Sequence, residues 1–167
     1  MSIVACRVYE DGYEISSDSI VVTGYTQTKG DEFKRSKLFE VNGIVIGGVG
    51  YAEGNSLMQL FLETHGIARE DERAVLEFIS EFSIWKKEKT DSHEIENAYI
   101  IGMKKKAFYV NKWMVSEVNC YTAIGAGMDY ALAALYLGKS SAEAVGVATE
   151  LSIYCEKPVI TISHRGT

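Results

Sequence analysis

Three polar residues near the start of the chain stand sixteen positions apart: Ser2, Asp18 and Lys34. If the initiator Met1 is removed, Ser2 carries a hydroxyl and a free α-amine on one residue, a nucleophile with its own base. Asp18 lies in Ser16-Ser17-Asp18-Ser19, and Lys34 in Phe33-Lys34-Arg35-Ser36-Lys37-Leu38-Phe39. A hydroxyl, a carboxylate and an ammonium at these places could form a catalytic cluster around the chain's own start. Two of them also have an ordinary explanation: Ser2 as a plain strand residue and Asp18 as a brace for a turn beside two serines.

The elements that would position this trio follow from local pattern. Ser2–Tyr9 is apolar and β-branched, Glu10-Asp11-Gly12 is a turn, and Tyr13–Ile20 returns as a second strand. The chain thus opens with a hairpin and its first residue lies at a strand end. Residues 21–31 are polar, with Gly24 and Gly30, and read as an irregular excursion. Ser36–Val41 and Ile44–Val49 form a hairpin around Asn42-Gly43. Gly47-Gly48-Val49-Gly50 ends it with little side-chain bulk, permitting close backbone approach or unusual dihedrals. A helix starts near Ala52 with Leu57, Leu60, Phe61 and Leu62 on its apolar face, and a second runs from about Glu70 to Lys87. Asn97–Met103 and Ala107–Asn111 pair as another hairpin, followed by strand material at Val115–Val118 and Tyr121–Ile124. A glycine-rich junction, Gly125-Ala126-Gly127, leads into a helix over Tyr130–Leu137. Ser140 and Glu143 form a capping box for a helix to about Tyr154, and Val159–Ser163 closes as a strand. Strands, a helix pair, strands, a helix pair and a strand predict an α+β fold of two packed antiparallel sheets flanked by helices, a four-layer αββα sandwich.

Composition narrows the function classes. With 167 residues the chain is expected to form a single domain over 1–167. The net charge of −6 speaks against a nucleic-acid partner, which selects a basic face. Cys6, Cys120 and Cys155 lack the spacing of a zinc site or a CxxC pair, and His65, His93 and His164 are scattered, so neither metal nor cofactor is expected. The thiols read as reduced and the protein as cytoplasmic. Residues 1–9 already form a strand, so no signal peptide is expected there. No apolar stretch reaches the roughly 20 residues of a membrane-spanning helix.

The same residues carry a family resemblance. The chain resembles proteasome-type β subunits of the N-terminal nucleophile hydrolases, most closely the peptidase subunit of the bacterial HslVU protease. Ser2-Ile3-Val4-Ala5-Cys6-Arg7 is similar to that family's Thr-Thr-Ile-Val-x-Val-Arg opening, and Ser17-Asp18-Ser19 to its Gly-Asp-Gly segment. Lys34 with Leu38-Phe39 resembles its lysine and Leu-Tyr pair, and Ile46-Gly47-Gly48-Val49-Gly50 its glycine-rich strand end. Ala123–Ala131 is similar to Ala-Ile-Gly-Ser-Gly-Gly-Pro-Tyr-Ala, and Thr149–Tyr154 to Gly-Asp-Ile-Cys-Ile-Tyr. These matches are collinear over nearly the whole chain. The resemblance implies the αββα fold and peptide hydrolysis by Ser2, with the freed α-amine as base, Asp18 and Lys34 as electrostatic support and Gly48 as a backbone N–H donor to the oxyanion. It also implies a homo-oligomeric ring, peptide or unfolded-protein substrates and an AAA+ unfoldase partner.

Several alternatives stay open at this level. Lys37 directly precedes Leu38-Phe39, as the active-site lysine does in many proteasome subunits; Lys34 is preferred because it would share a strand face with Ser36 and Leu38. Local matching of the first segment sets Met1 against the family's nucleophile, whereas the ungapped spacing sets Ser2 there. Ala126 stands where the family carries a serine beside the terminal amine. A catalytically degenerate homologue with a structural or interaction role, and an amidase acting on a small molecule, are the competing readings.

Overall fold

The computed structural model describes residues 1–28, 32–34 and 36–166. Eleven strands and four helices are defined among these residues. β1 (Ile3–Tyr9) and β2 (Gly12–Ser17) form the opening hairpin, and β3 (Val21–Thr23) with β4 (Thr26–Thr28) forms a small separate one. β5 (Leu38–Val41) and β6 (Ile44–Val49) precede α1 (Ala52–Thr64) and α2 (Glu72–Thr90). β7 (Ala98–Met103), β8 (Lys106–Asn111), β9 (Met114–Glu117) and β10 (Tyr121–Gly125) follow, then α3 (Met128–Tyr136), α4 (Ser141–Leu151) and β11 (Ile160–Arg165).

Local chemistry explains the boundaries. Asn42 and Gly43 take φ values of 53° and 76°, the left-handed pair that a two-residue hairpin requires. Asp71 caps α2 by accepting the Ala74 N–H at 2.8 Å. Ser140 and Glu143 satisfy each other's backbone donors at the start of α4, the expected capping box. Several boundaries differ from expectation by a few residues, β2, β5, α2 and α3 among them. α4 stops at Leu151 because Ser152 is already extended, and β11 begins one residue later than the predicted strand and runs on to Arg165. The segment expected to be irregular holds the β3–β4 hairpin, whose Thr26–Thr28 strand lacks an apolar face; residues 29–31 of that segment lie outside the described residues.

The strands form a four-stranded sheet, β10-β1-β2-β11, and a five-stranded sheet, β5-β6-β7-β8-β9, with antiparallel pairing throughout. Three apolar clusters separate the layers. Met58, Phe61, Phe78 and Phe82 of α1 and α2 cover one face of the larger sheet at Ile46, Tyr99 and Phe108. Ile3 and Ala5 of β1 pack under Ala131, Leu135, Val145 and Ala148 of α3 and α4. Between the sheets lie Val4, Cys6, Tyr13 and Ile15 from one side and Leu38, Val45, Ile100 and Ala107 from the other. The order is therefore helices, sheet, sheet, helices, the predicted αββα sandwich. Among the described residues no helix is long and apolar enough to cross a membrane.

Alternation along β1 decides where the chain start points. Val4 and Cys6 face the inter-sheet core, while Ile3 and Ala5 face α3 and α4. By the same parity Ser2 belongs to the inter-sheet side and Met1 does not.

The inter-sheet packing leaves little room for change. A Cβ at Gly102 would lie 2.3 Å from a ring carbon of buried Tyr13. Gly102→Ala is therefore expected to destabilise the protein by about 1–3 kcal/mol through overpacking. The Tyr13 hydroxyl is buried without a hydrogen-bond partner among the described residues. Tyr13→Phe should accordingly stay within about 1 kcal/mol of the parent, since no bond is lost. Urea unfolding of both variants checks the pair of outcomes.

Candidate active site

The opening hairpin brings Ser2 and Asp18 to the same end of the smaller sheet. β2 ends at Ser17, so Asp18 leaves the ladder beside Ile3 and donates its own N–H to the Ile3 carbonyl at 3.2 Å. Its side chain is fully buried and accepts four hydrogen bonds. Oδ1 takes the Ile3 N–H at 3.0 Å and the Lys37 ammonium at 2.7 Å. Oδ2 takes the Ile20 N–H at 3.2 Å and the Glu156 N–H at 3.2 Å. Buried carboxylates need this degree of satisfaction, because each unpaired lone pair carries a desolvation penalty.

The cation in this site is Lys37, which corrects the preference for Lys34. The Lys37 side chain is only 13% exposed. Burial pushes its ammonium below the ordinary lysine range, while the charge and hydrogen bond of Asp18 oppose that shift. Lys34 is exposed and lines a different cavity with Val21, Thr23, Phe33, Ser36, Phe39, Ala52 and Gln59. The reason is structural: β5 begins only at Leu38, so strand alternation does not govern the segment that carries Lys34.

Ser2 is 3% exposed and its hydroxyl donates to the Met1 carbonyl. Its own carbonyl accepts the Gly127 N–H at 3.2 Å, which locks the start of the chain to the β10–α3 junction. A cavity of about 170 Å³ lies here, lined by Met1, Ser2, Lys37, Gly48 and Gly50 together with Ile20, Val21 and Asn55. Hydroxyl, ammonium and glycine-rich strand end thus share one cleft. Ala126, exposed in the turn between β10 and α3, offers no hydroxyl.

The role expected of Gly48 meets a geometric obstacle. Its N–H donates to the Lys37 carbonyl at 3.0 Å as the last rung between the strand and the segment entering β5. It is committed there and does not point at an oxyanion. The N–H of Gly50, two residues past it and beyond the end of β6, donates to no atom of the described residues. Gly50 has a φ of +126°, reached readily only by glycine. Gly48 contributes space instead: a Cβ there would lie 2.1 Å from the Asn55 side-chain oxygen.

Cys155 is a neighbour that the pattern of residues did not single out. Its thiol is buried against Gly127, where a Cβ would lie 2.6 Å from the sulfur. Burial pushes the thiol's pKa up and the Asp18 charge adds to this, against a hydrogen bond from Ser152 and the nearby Lys37 charge. Among the described residues no three His, Cys, Asp or Glu side chains gather as metal ligands.

Removing one member of a buried ion pair strands the other, at a cost of about 3–5 kcal/mol. Asp18→Ala also strips the Ile3, Ile20 and Glu156 N–H groups of their acceptor. A loss of at least about 3 kcal/mol is expected in urea unfolding, against less than about 0.5 kcal/mol for exposed Lys34→Ala.

No family model matches this sequence, and neither does any curated protein sequence. Solved structures do match. BPH of Thiobacillus denitrificans in complex with epoxomicin superposes with a TM-score of 0.89 at 17% identity, covering 98% of this chain and 98% of that one. HslV from the eukaryote Trypanosoma brucei gives 0.76 at 19% identity over 98% of this chain and 99% of that one. Anbu, an ancestral β-subunit from Yersinia bercovieri, gives 0.74 at 13% identity over 98% of this chain and 81% of that one. Together with the αββα layering, these likenesses give the chain the HslV-like, proteasome-type fold that BPH, HslV and Anbu share.

Proposed function

We propose that this chain is a proteasome-type peptidase subunit in which Ser2, exposed by removal of Met1, is the nucleophile. The observation that carries the reading is the buried Asp18–Lys37 pair opening onto the same cleft as Ser2. In this mechanism the Ser2 hydroxyl attacks a peptide carbonyl and its proton passes to the freed α-amine, whose ordinary pKa of about 7.7–8.0 suits that transfer. The Lys37 charge favours the developing alkoxide, and Asp18 holds the ammonium in place. The Gly50 N–H donates to the tetrahedral oxyanion. The C–N bond then breaks, the leaving amine takes the proton from the α-amine, and water hydrolyses the serine ester by the same route.

The reading includes a cytoplasmic ring of identical subunits with peptide or unfolded-protein substrates, and an AAA+ unfoldase as the partner that delivers them. Large apolar side chains at the ends of the outer helices support subunit contacts: Tyr136, Leu137 and Ile153 are 78%, 77% and 84% exposed. A second reading, a non-catalytic member kept for assembly or interaction, draws on Ala126 and on the Ser2 hydroxyl's bond to the Met1 carbonyl.

Intact-mass measurement should show Met1 missing, and a fluorogenic peptide amide should be hydrolysed. Ser2→Ala should abolish turnover, and epoxomicin should block the parent. Lys37→Ala should lower kcat by about 10²-fold or more, the scale of one electrostatic contact at a transition state. Lys34→Ala should stay within about twofold. The rate should climb from pH 6 to 8 as the Ser2 amine loses its proton. Retained Met1 with no Ser2-dependent hydrolysis would establish the non-catalytic reading.

A further inference from the structure

The Gly50 N–H sits at a junction that glycine alone would leave loose, yet two buried asparagines fasten the backbone on both sides of it. Asn97, 3% exposed, grips Tyr51 with both ends of its amide: Oδ1 accepts the Tyr51 N–H at 2.8 Å and Nδ2 donates to the Tyr51 carbonyl at 2.8 Å. Asn97 Nδ2 also donates to Asn55 Oδ1 at 3.1 Å. Asn55, 8% exposed, passes the chain on, its Nδ2 donating to the Gly48 carbonyl at 3.0 Å.

The consequence lies in which peptide planes are held. The Gly48 carbonyl belongs to the 48–49 peptide and the Tyr51 N–H to the 50–51 peptide. Between them lies the 49–50 peptide, which carries the Gly50 N–H. The ladder partner Ala98 holds the Val49 side of that plane, and with both neighbouring peptides pinned its Gly50 side cannot swivel without breaking a bond to Asn55 or Asn97. Close contact reinforces the bonds, since a Cβ at Gly50 would lie 2.5 Å from Asn97 Oδ1 and one at Gly54 2.8 Å from Asn97 Nδ2. An N–H that stabilises an oxyanion must be held in place before the charge develops, because reorienting it during reaction forfeits most of its value.

We propose that Asn97, relayed through Asn55, is a positioning residue that holds the Gly50 N–H toward the Ser2 cleft. The inference rests on the peptidase reading and adds a residue from β7's leading edge, outside the cleft lining. A purely structural Asn97 would tie α1 to the larger sheet and affect stability alone.

The test uses the full chain with Met1 removed and a fluorogenic peptide amide. Asn97→Asp keeps the shape and the acceptor for the Tyr51 N–H but cannot donate to the Tyr51 carbonyl or to Asn55. It should lower kcat about 10- to 100-fold with KM within about threefold, the signature of an interaction made in the transition state. A peptide aldehyde, whose adduct carries an oxygen at the oxyanion position, should lose affinity by the factor lost in kcat/KM. Asn55→Asp should give the same split at smaller size. The double variant should be no worse than Asn97→Asp alone, because both act on one peptide. Ser83→Ala removes a bond from α2 to the His93 carbonyl and should lower stability while leaving kcat unchanged. Unchanged kcat in both asparagine variants, or a loss confined to KM, overturns the proposal while Ser2-dependent hydrolysis by the parent keeps the peptidase reading. A parent without such hydrolysis overturns both.

Discussion

Burial of the Asp18 carboxylate is the constraint around which the rest is arranged. A charge in that position must be met on every side, and its partners come from four separate stretches of chain. The Ile3 N–H comes from β1, the Ile20 N–H from the exit of β2, the Glu156 N–H from the lead-in to β11, and the ammonium from Lys37 before β5. The first and last strands of the smaller sheet and the entry to the larger sheet are thereby tied at one point. None can shift without leaving part of the charge unpaired, which is costly in a low-dielectric interior. The tie holds the Ser2 end of β1 against the residues of the second sheet that line its cleft.

Much of this could be read from the sequence because the relevant signals are local. Asn42-Gly43, the Ser140/Glu143 box and the continuous apolar run Ile3–Cys6 each act within a few residues, and each appears where its chemistry dictates. Parity along β1 extends the same logic to the site, since one side of a strand cannot become the other without a slip of register. The lysine was less legible for a related reason. Lys34 and Lys37 both precede the first residue of β5, so neither inherits a face from the strand pattern. Their separation is set by the path of a non-repetitive segment toward a carboxylate distant in sequence, which no local periodicity encodes. The β3–β4 hairpin is hard to read because its second strand, Thr26–Thr28, has no apolar side.

The glycines illustrate a limit of another kind. The run 47–50 announces a tight strand end, but which of its N–H groups is free depends on where pairing stops. In an antiparallel ladder successive N–H groups turn alternately to the two neighbours. Gly48 donates to Lys37, and Gly47 and Val49 face β7 as partners of Ile100 and Ala98. A free donor can occur only beyond the last rung, at Gly50. Strand termination is a property of the assembled sheet, as is the wedge of Asn55 and Asn97 that forbids any side chain on Gly48, Gly50 and Gly54.

On the peptidase reading, Ala126 and Met1 bear on different parts of the chemistry. The nucleophile's electrostatics come from Lys37 and Asp18, and the oxyanion contact from the backbone after β6; neither involves residue 126. A missing hydroxyl at Ala126 removes a route for protons to and from the terminal amine, which slows transfer but leaves the attacking group, its charge environment and its geometry intact. Met1 acts on the base itself, because an amide nitrogen at Ser2 cannot accept the hydroxyl proton. The first departure therefore scales the rate, whereas the second switches the reaction on or off. The state of the chain's first peptide bond, more than the alanine, separates an active subunit from an inert one.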